Sequence, residues 1–148
     1  MVAIYRGQRY DLSANEFGDG TLSHGHRYLQ SFRLEGTLPV WTYVVGDALL
    51  EQRIWMAHGK NTTYVTFTLI RGERLSLELT PLCADRDYHW HQRGARDFHV
   101  SPTRDGIEVR AGEQRAYRIL SPAGRCDIAP DWYWNCKHRA ESERGLDD

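Results

Sequence analysis

Arg86-Asp87-Tyr88-His89-Trp90-His91 places six side chains able to bond, stack or ligate at consecutive positions, just after an alternating apolar segment that ends at Pro81. Three chemistries fit them. A saccharide needs flat aromatic faces against its C–H surface and fixed charged or imidazole groups for its hydroxyls, and Arg86, Asp87, Tyr88, His89 and Trp90 supply both within one loop. A metal needs converging ligands, and the i, i+2 spacing of His89 and His91 sets both on one face of a strand. A structural loop needs only that Arg86 and Asp87 bond backbone while Tyr88 and Trp90 fill the edge of a core. The saccharide reading names those five residues as candidate substrate contacts, and the structural reading stands beside it.

The metal reading lacks a third ligand. A cupin-type site requires a carboxylate a few residues after the His-x-His pair, on the same strand. After His91 that region holds Ala95 and Arg96. The second pair, His24-Gly25-His26, is followed by Gln30 and Ser31, and Glu35 comes too late. No metal site is predicted, and His24 and His26 read as a loop tip. Glycoside hydrolysis would need two carboxyl groups flanking the scissile bond. Asp85, Asp87, Glu141, Glu143, Asp147 and Asp148 are available, and spacing pairs none of them. No Ser-His-Asp order, phosphate loop or dinucleotide fingerprint is present. No catalytic residue and no cofactor is therefore assigned.

Trp132-Tyr133-Trp134 stands ahead of a charged run that includes Glu141, Glu143 and Arg144. The three rings read as an aromatic platform for a sugar, or as an apolar surface that docks another domain. Docking is the favoured role, because an uncapped apolar end wants a partner.

The elements that must position these groups are strands. Aromatic residues make up 11% of the chain, and glycine recurs where apolar alternation breaks, the pattern of a β meander. Arg9–Leu12 is expected to pair back on Val2–Tyr5 across Gly7, and Ser13–Arg27 reads as a long loop. Tyr28, Phe32 and Leu34 alternate on one strand, and Trp41, Tyr43 and Val45 on the next. Gly46-Asp47 suits a type II′ hairpin. Leu50, Ile54 and Met56 share a face of a long strand, and His58–Asn61 closes a tight turn. Thr62–Ile70 is dense in β-branched and aromatic residues, with Val65, Phe67 and Leu69 expected to face the core. Leu75, Leu77 and Leu79 alternate with polar residues, and shorter strands follow at Asp97–Val100, Ile107–Ala111 and Tyr117–Leu120. No segment carries a helical period; the tail after Asn135 reads as a helical turn or an extended linker. Such strands pack as two facing sheets. The predicted fold is all-β, an antiparallel β-sandwich with a short irregular or helical C-terminal tail.

Composition narrows the function. The 148 residues carry a net charge of -1, and no Lys/Arg stripe could track phosphates, which disfavours nucleic acid and anionic membrane surfaces as partners. Mean hydropathy is -0.63, and no apolar run is long enough to cross a bilayer. Cys83, Cys126 and Cys136 form an odd set without a Cys-x-x-Cys pair, pointing to reduced thiols and a cytoplasmic location.

One resemblance runs through these segments. Glu141–Asp148 resembles the Glu-x-Glu-Arg-Gly-Leu-Asp-x segment that closes the N-terminal domain of bacterial and archaeal glycogen debranching enzymes, with Tyr133 at a fitting distance ahead of it. Tyr28–Phe32 with Pro39–Tyr43, Leu50–Met56 with Gly59–Thr63, and Leu77–Leu82 with Arg86–His89 resemble the same domain, in the family's order, from about Tyr28 onward. The resemblance implies a β-supersandwich that packs against a C-terminal barrel of paired α-helices. In that family the barrel holds the carboxylates that cleave the α-1,6 branch stub, an amylo-α-1,6-glucosidase activity. The general acid and base are then expected outside this chain, which is expected to be inactive alone. The family's Gly-rich opening and Arg-Arg-Tyr-His-Gly segment are not found here. Residues 1–148 are therefore expected to form a single sandwich domain, part of the N-terminal domain of a larger enzyme. Implied partners are α-glucan, as glycogen or maltooligosaccharide, and the helical catalytic domain of the same polypeptide. Trp132, Tyr133, Trp134, Glu141, Glu143 and Arg144 are the candidate docking residues. Two other readings stay open: a free-standing carbohydrate-binding module, and a mutarotase-like enzyme using His89 with Asp87 or Glu141 as acid and base.

Overall fold

The computed structural model of the chain describes residues 1–85, 97–112 and 115–145. They divide into two compact units, Met1–Thr80 and the part from Pro81 onward. The first unit holds seven strands: β1 (Val2–Tyr5), β2 (Gln8–Asp11), β3 (Leu29–Glu35), β4 (Leu38–Val45), β5 (Ala48–Met56), β6 (Thr63–Arg71) and β7 (Leu75–Glu78). They form an antiparallel three-stranded sheet, order β2-β1-β7, and an antiparallel four-stranded meander, order β3-β4-β5-β6.

Turn chemistry sets the hairpins. Arg6 and Gly7 both take positive φ, 49° and 77°, the two left-handed positions that a type I′ turn needs between β1 and β2. Gly46 takes φ 63° while Asp47 does not enter the left-handed region, in keeping with the expected type II′ turn between β4 and β5. The Ser13–Arg27 loop ends in a 3-10 turn, Gly25–Tyr28, that no helical period announces. Gly25 is fixed there by space: a Cβ would meet the Leu12 carbonyl carbon at 2.2 Å.

Alternation places Ala3 and Tyr5 of β1 opposite Val45, Ala48 and Leu50 of the larger sheet, and Leu12 joins them; all six are buried. Tyr43, Phe67, Leu69, Leu75 and Leu77 pack against this cluster, so the unit is a two-layer sandwich. The layers are unequal. The four-residue strands of the smaller sheet reach about 13 Å, whereas the nine-residue β5 and β6 reach about 30 Å. The far half of the larger sheet's inner face is uncovered as a result. Phe32 (54% exposed), Leu34 (62%), Met56 (62%) and Val65 (47%) lie there; of the three residues expected to face the core, Phe67 and Leu69 pack on it and Val65 does not.

The second unit carries β8 (Phe98–Thr103), β9 (Gly106–Ala111) and β10 (Arg115–Leu120) as an antiparallel sheet, order β10-β9-β8, and a short helix α1 (Arg139–Glu143) in the tail. Its register sets Val100, Val109 and Tyr117 in one row and Pro102, Ile107 and Ile119 in another, both on one face. Val109 and Ala111 are buried. Gly106 starts β9 in close contact with β10: a Cβ there would lie 2.0 Å from the Ile119 carbonyl oxygen. Among the described residues no helix is long and apolar enough to cross a membrane.

Candidate functional site

The candidate residues separate by location. Arg86, Asp87, Tyr88, His89 and Trp90, together with His91, lie outside the described residues. The tail aromatics are described and do not act alike. Phe98 shares the apolar face of the β8–β10 sheet, and Trp132 packs edge-on against it, with ring centroids 5.6 Å apart and planes at 76°. Trp134 follows at 5.6 Å from Trp132 with planes at 33°. Trp132 is half-buried, while Tyr133 and Trp134 are 50% and 52% exposed. The contact with Phe98 marks the contrast; in the same segment Asp131 Oδ1 accepts a hydrogen bond from the Trp132 N–H at 2.8 Å, and Asn135 is left-handed at φ 55°. One ring thus anchors the segment while the other two face water.

The charged candidates sit on and after α1. Arg144 Nη1 lies 3.8 Å from Glu141 Oε1, an i, i+3 contact with Arg144 72% and Glu141 44% exposed. Such an exposed pair contributes little stability. Glu143 is exposed. Gly145, at φ 78°, closes the helix by donating its N–H to the Ser142 carbonyl at 2.9 Å.

Register assembles a second polar site, in the first unit, that spacing could not reveal. On the outer face of the larger sheet Arg33 stands opposite Val40, Val40 opposite Arg53, and Thr42 opposite Glu51. Arg33 Nη2 donates to Glu51 Oε2 at 2.6 Å and to Glu35 Oε1 at 2.8 Å. Arg53 donates from Nε to Glu51 Oε1 at 2.7 Å and from Nη2 to Glu35 Oε1 at 3.2 Å. Glu51 is 7% exposed, and Val40 is fully buried. Beside this lattice Trp55 stacks on Tyr64, at 5.3 Å and 17° between planes. The sequence signal was present only as parity: Glu51, Arg53 and Trp55 alternate along β5.

The ion pairs fix the protonation states. The hydrogen bond from Arg33 holds the Glu51 carboxyl below the usual glutamate range, with Arg53 adding to it against the upward pull of burial. Arg53, then Arg33, does the same for Glu35. On the polar face of the β8–β10 sheet, Arg110 and then Arg118 lower Glu108. Carboxylates held this way are ionised at neutral pH and ill-suited to donate a proton to a leaving group. The phenol of Tyr117 moves the other way: burial raises it above the ordinary tyrosine range, helped by its hydrogen bond with Cys83 and the charge of Asp85.

Pro102, Thr103, Asp105, Ser121 and Cys126 line a cleft of about 150 Å³ at the β8–β9 turn, below the several hundred Å³ of an ordinary small-molecule pocket. The His24 and His26 rings meet edge-to-face at 5.8 Å. Among the described residues, no three His, Cys, Asp or Glu side chains are grouped to hold a metal ion.

Antiparallel sheets, a sandwich core and a short C-terminal helix make this an all-β protein. The chain belongs to the family of the glycogen debranching enzyme N-terminal domain, whose family model matches residues 1–148. That match extends over the whole chain, beyond the stretch from Tyr28 onward that carried the resemblance. No curated protein and no solved structure matches the chain.

Proposed function

We propose that this chain is the non-catalytic N-terminal β-domain of a glycogen-debranching glycoside hydrolase with amylo-α-1,6-glucosidase activity. In this reading it supports a helical catalytic domain of the same polypeptide and contacts α-glucan, either glycogen or a maltooligosaccharide. The family match over residues 1–148 carries the reading. Tyr133 and Trp134 supply the means: two exposed rings on an anchored segment, suited to pack against apolar side chains or against the C–H face of a glucose unit. Arg86, Asp87, Tyr88, His89 and Trp90 are the further sugar contacts proposed. The ionised carboxylates of Glu35, Glu51 and Glu108 support placing the general acid elsewhere in the enzyme. Free thiols at Cys83, Cys126 and Cys136 support a cytoplasmic setting.

The test is calorimetric titration of the chain with maltooligosaccharides and with a branched limit dextrin, in parallel with a debranching assay. Saturable millimolar binding without glucose release supports the reading. Debranching by the chain alone refutes it. The exposure of Trp134 also favours a free-standing carbohydrate-binding module, which predicts the same binding in a protein that needs no catalytic partner.

A further inference from the structure

Edge strands are normally protected by charge, proline, a bulge or short length, because their unpaired backbone groups invite another strand. The edges of this protein follow that rule unevenly. Strand β2 is short and carries Arg9 and Asp11. Strand β3 carries Arg33 and Glu35 and has a register irregularity between Leu29 and Ser31. Strand β7 has four residues, and β8 contains Pro102. Strand β6 has the least protection: one register irregularity, at Ile70 near its end, where Leu49 pairs with Arg71 and Leu50 with Leu69. It runs nine residues, Thr-Tyr-Val-Thr-Phe-Thr-Leu-Ile-Arg, at the end of the four-stranded order, and among the described residues no strand pairs with its outer side. Tyr64, Val65 and Ile70 are each about half exposed on it. Its one charge, Arg71, is turned back onto the β4–β5 hairpin, where Nε donates to the Asp47 carbonyl at 3.0 Å.

We propose that β6 pairs with β6 of a second copy of this chain, antiparallel about a two-fold axis at Phe67. Thr63–Arg71 is centred on Phe67, so this register engages Val65–Leu69, the regular stretch that ends before the irregularity at Ile70. It sets Phe67 against its own counterpart, Val65 of one copy against Leu69 of the other, and Thr66 of one against Thr68 of the other. From Val65 to Leu69 each cross-strand pair is apolar with apolar or hydroxyl with hydroxyl; Arg71 falls opposite Thr63, and no like charges meet. The two four-stranded sheets become one sheet of eight. The antiparallel sense also lays the uncovered half-face of each copy, at Val65 and Met56, beside the end of the other copy that carries the three-stranded layer. This inference rests on the strand chemistry and is independent of the glucan reading.

Sedimentation velocity on the full chain, from micromolar to near-millimolar concentration, tests it. The expected result is a reversible dimer. Thr66 and Thr68 are exposed, so charges placed there enter no core. The variants Thr66→Lys/Thr68→Lys and Thr66→Glu/Thr68→Glu put like charges opposite each other in the dimer. Each is expected to be monomeric with an unchanged far-UV spectrum, and an equimolar mixture of the two is expected to restore the dimer. Hydrogen exchange on the wild type gives a readout that needs no variant: the outward β6 amides should gain protection as concentration rises. A wild type that stays monomeric, β6 amides unprotected at every concentration, or folded variants that dimerise as well as the wild type would overturn the proposal.

Discussion

Leu50→Ala tests the sandwich that supports every surface described above. Leu50 is 2% exposed and stands between Tyr43 on β4 and Leu69 on β6 in register, under the β1–β7 layer. Truncation removes three buried carbons, worth roughly 2.4 kcal/mol in transfer alone. The facing Tyr5, Val45 and Ala48 are themselves buried in strands, so the cavity cannot collapse fully, and the expected loss rises to about 3 kcal/mol. For a cooperative unit the size of Met1–Thr80, that loss lowers Tm by about 12–24 °C. Urea unfolding followed by tryptophan fluorescence, with Ile70→Ala as control, measures it. Ile70 is 55% exposed, and its truncation should stay within about 0.5 kcal/mol of wild type. If Leu50→Ala costs under about 1 kcal/mol with an unchanged m-value, the two sheets do not enclose Leu50, and the packing argument fails.

Three further outcomes are expected. Glu35, Glu51 and Glu108 have folded pKa values below their unfolded ones, so their contribution is complete above the ordinary glutamate pKa and disappears as pH falls through the lowered values. Chemical denaturation should show stability level from neutral pH to about 5 and falling below about 4.5, with the fall reduced in Glu51→Gln; a flat acid limb would contradict the ion-pair lattice. Gly106→Ala should separate β9 from β10, because its Cβ would meet backbone at 2.0 Å; loss of hydrogen-exchange protection in Arg115–Leu120 checks this. Trp134→Ala should weaken maltooligosaccharide binding several-fold with little change in Tm, since the ring is half in water, whereas Trp132→Ala should lower Tm by removing the anchor on Phe98. Equal effects of the two on binding and on stability would refute the division between anchor and platform.

Local chemistry is legible without a structure. The alternation of Thr63–Arg71 and Leu75–Glu78, the turn glycines at 7 and 46, and the run of short strands after residue 97 follow from side-chain period and backbone allowance, which each residue carries wherever it sits. The family too was legible, in short motifs spread along the chain. The 3-10 turn at Gly25–Tyr28 was not, because a single tight turn leaves no period to detect.

Tertiary structure decided which faces are used. Phe32, Leu34 and Met56 have the same local pattern as buried residues, yet they are exposed because the opposing strands are too short to cover them. Glu35, Glu51, Arg33 and Arg53 look like scattered surface charges until strand pairing brings partners 18 positions apart within hydrogen-bond distance. Trp132 and Trp134 are indistinguishable in sequence, and only the position of Phe98 makes one an anchor and the other a platform. Periodicity reports the face on which a side chain lies; burial depends on what another segment places above it, and that is set by strand length and register, which no local run of residues contains.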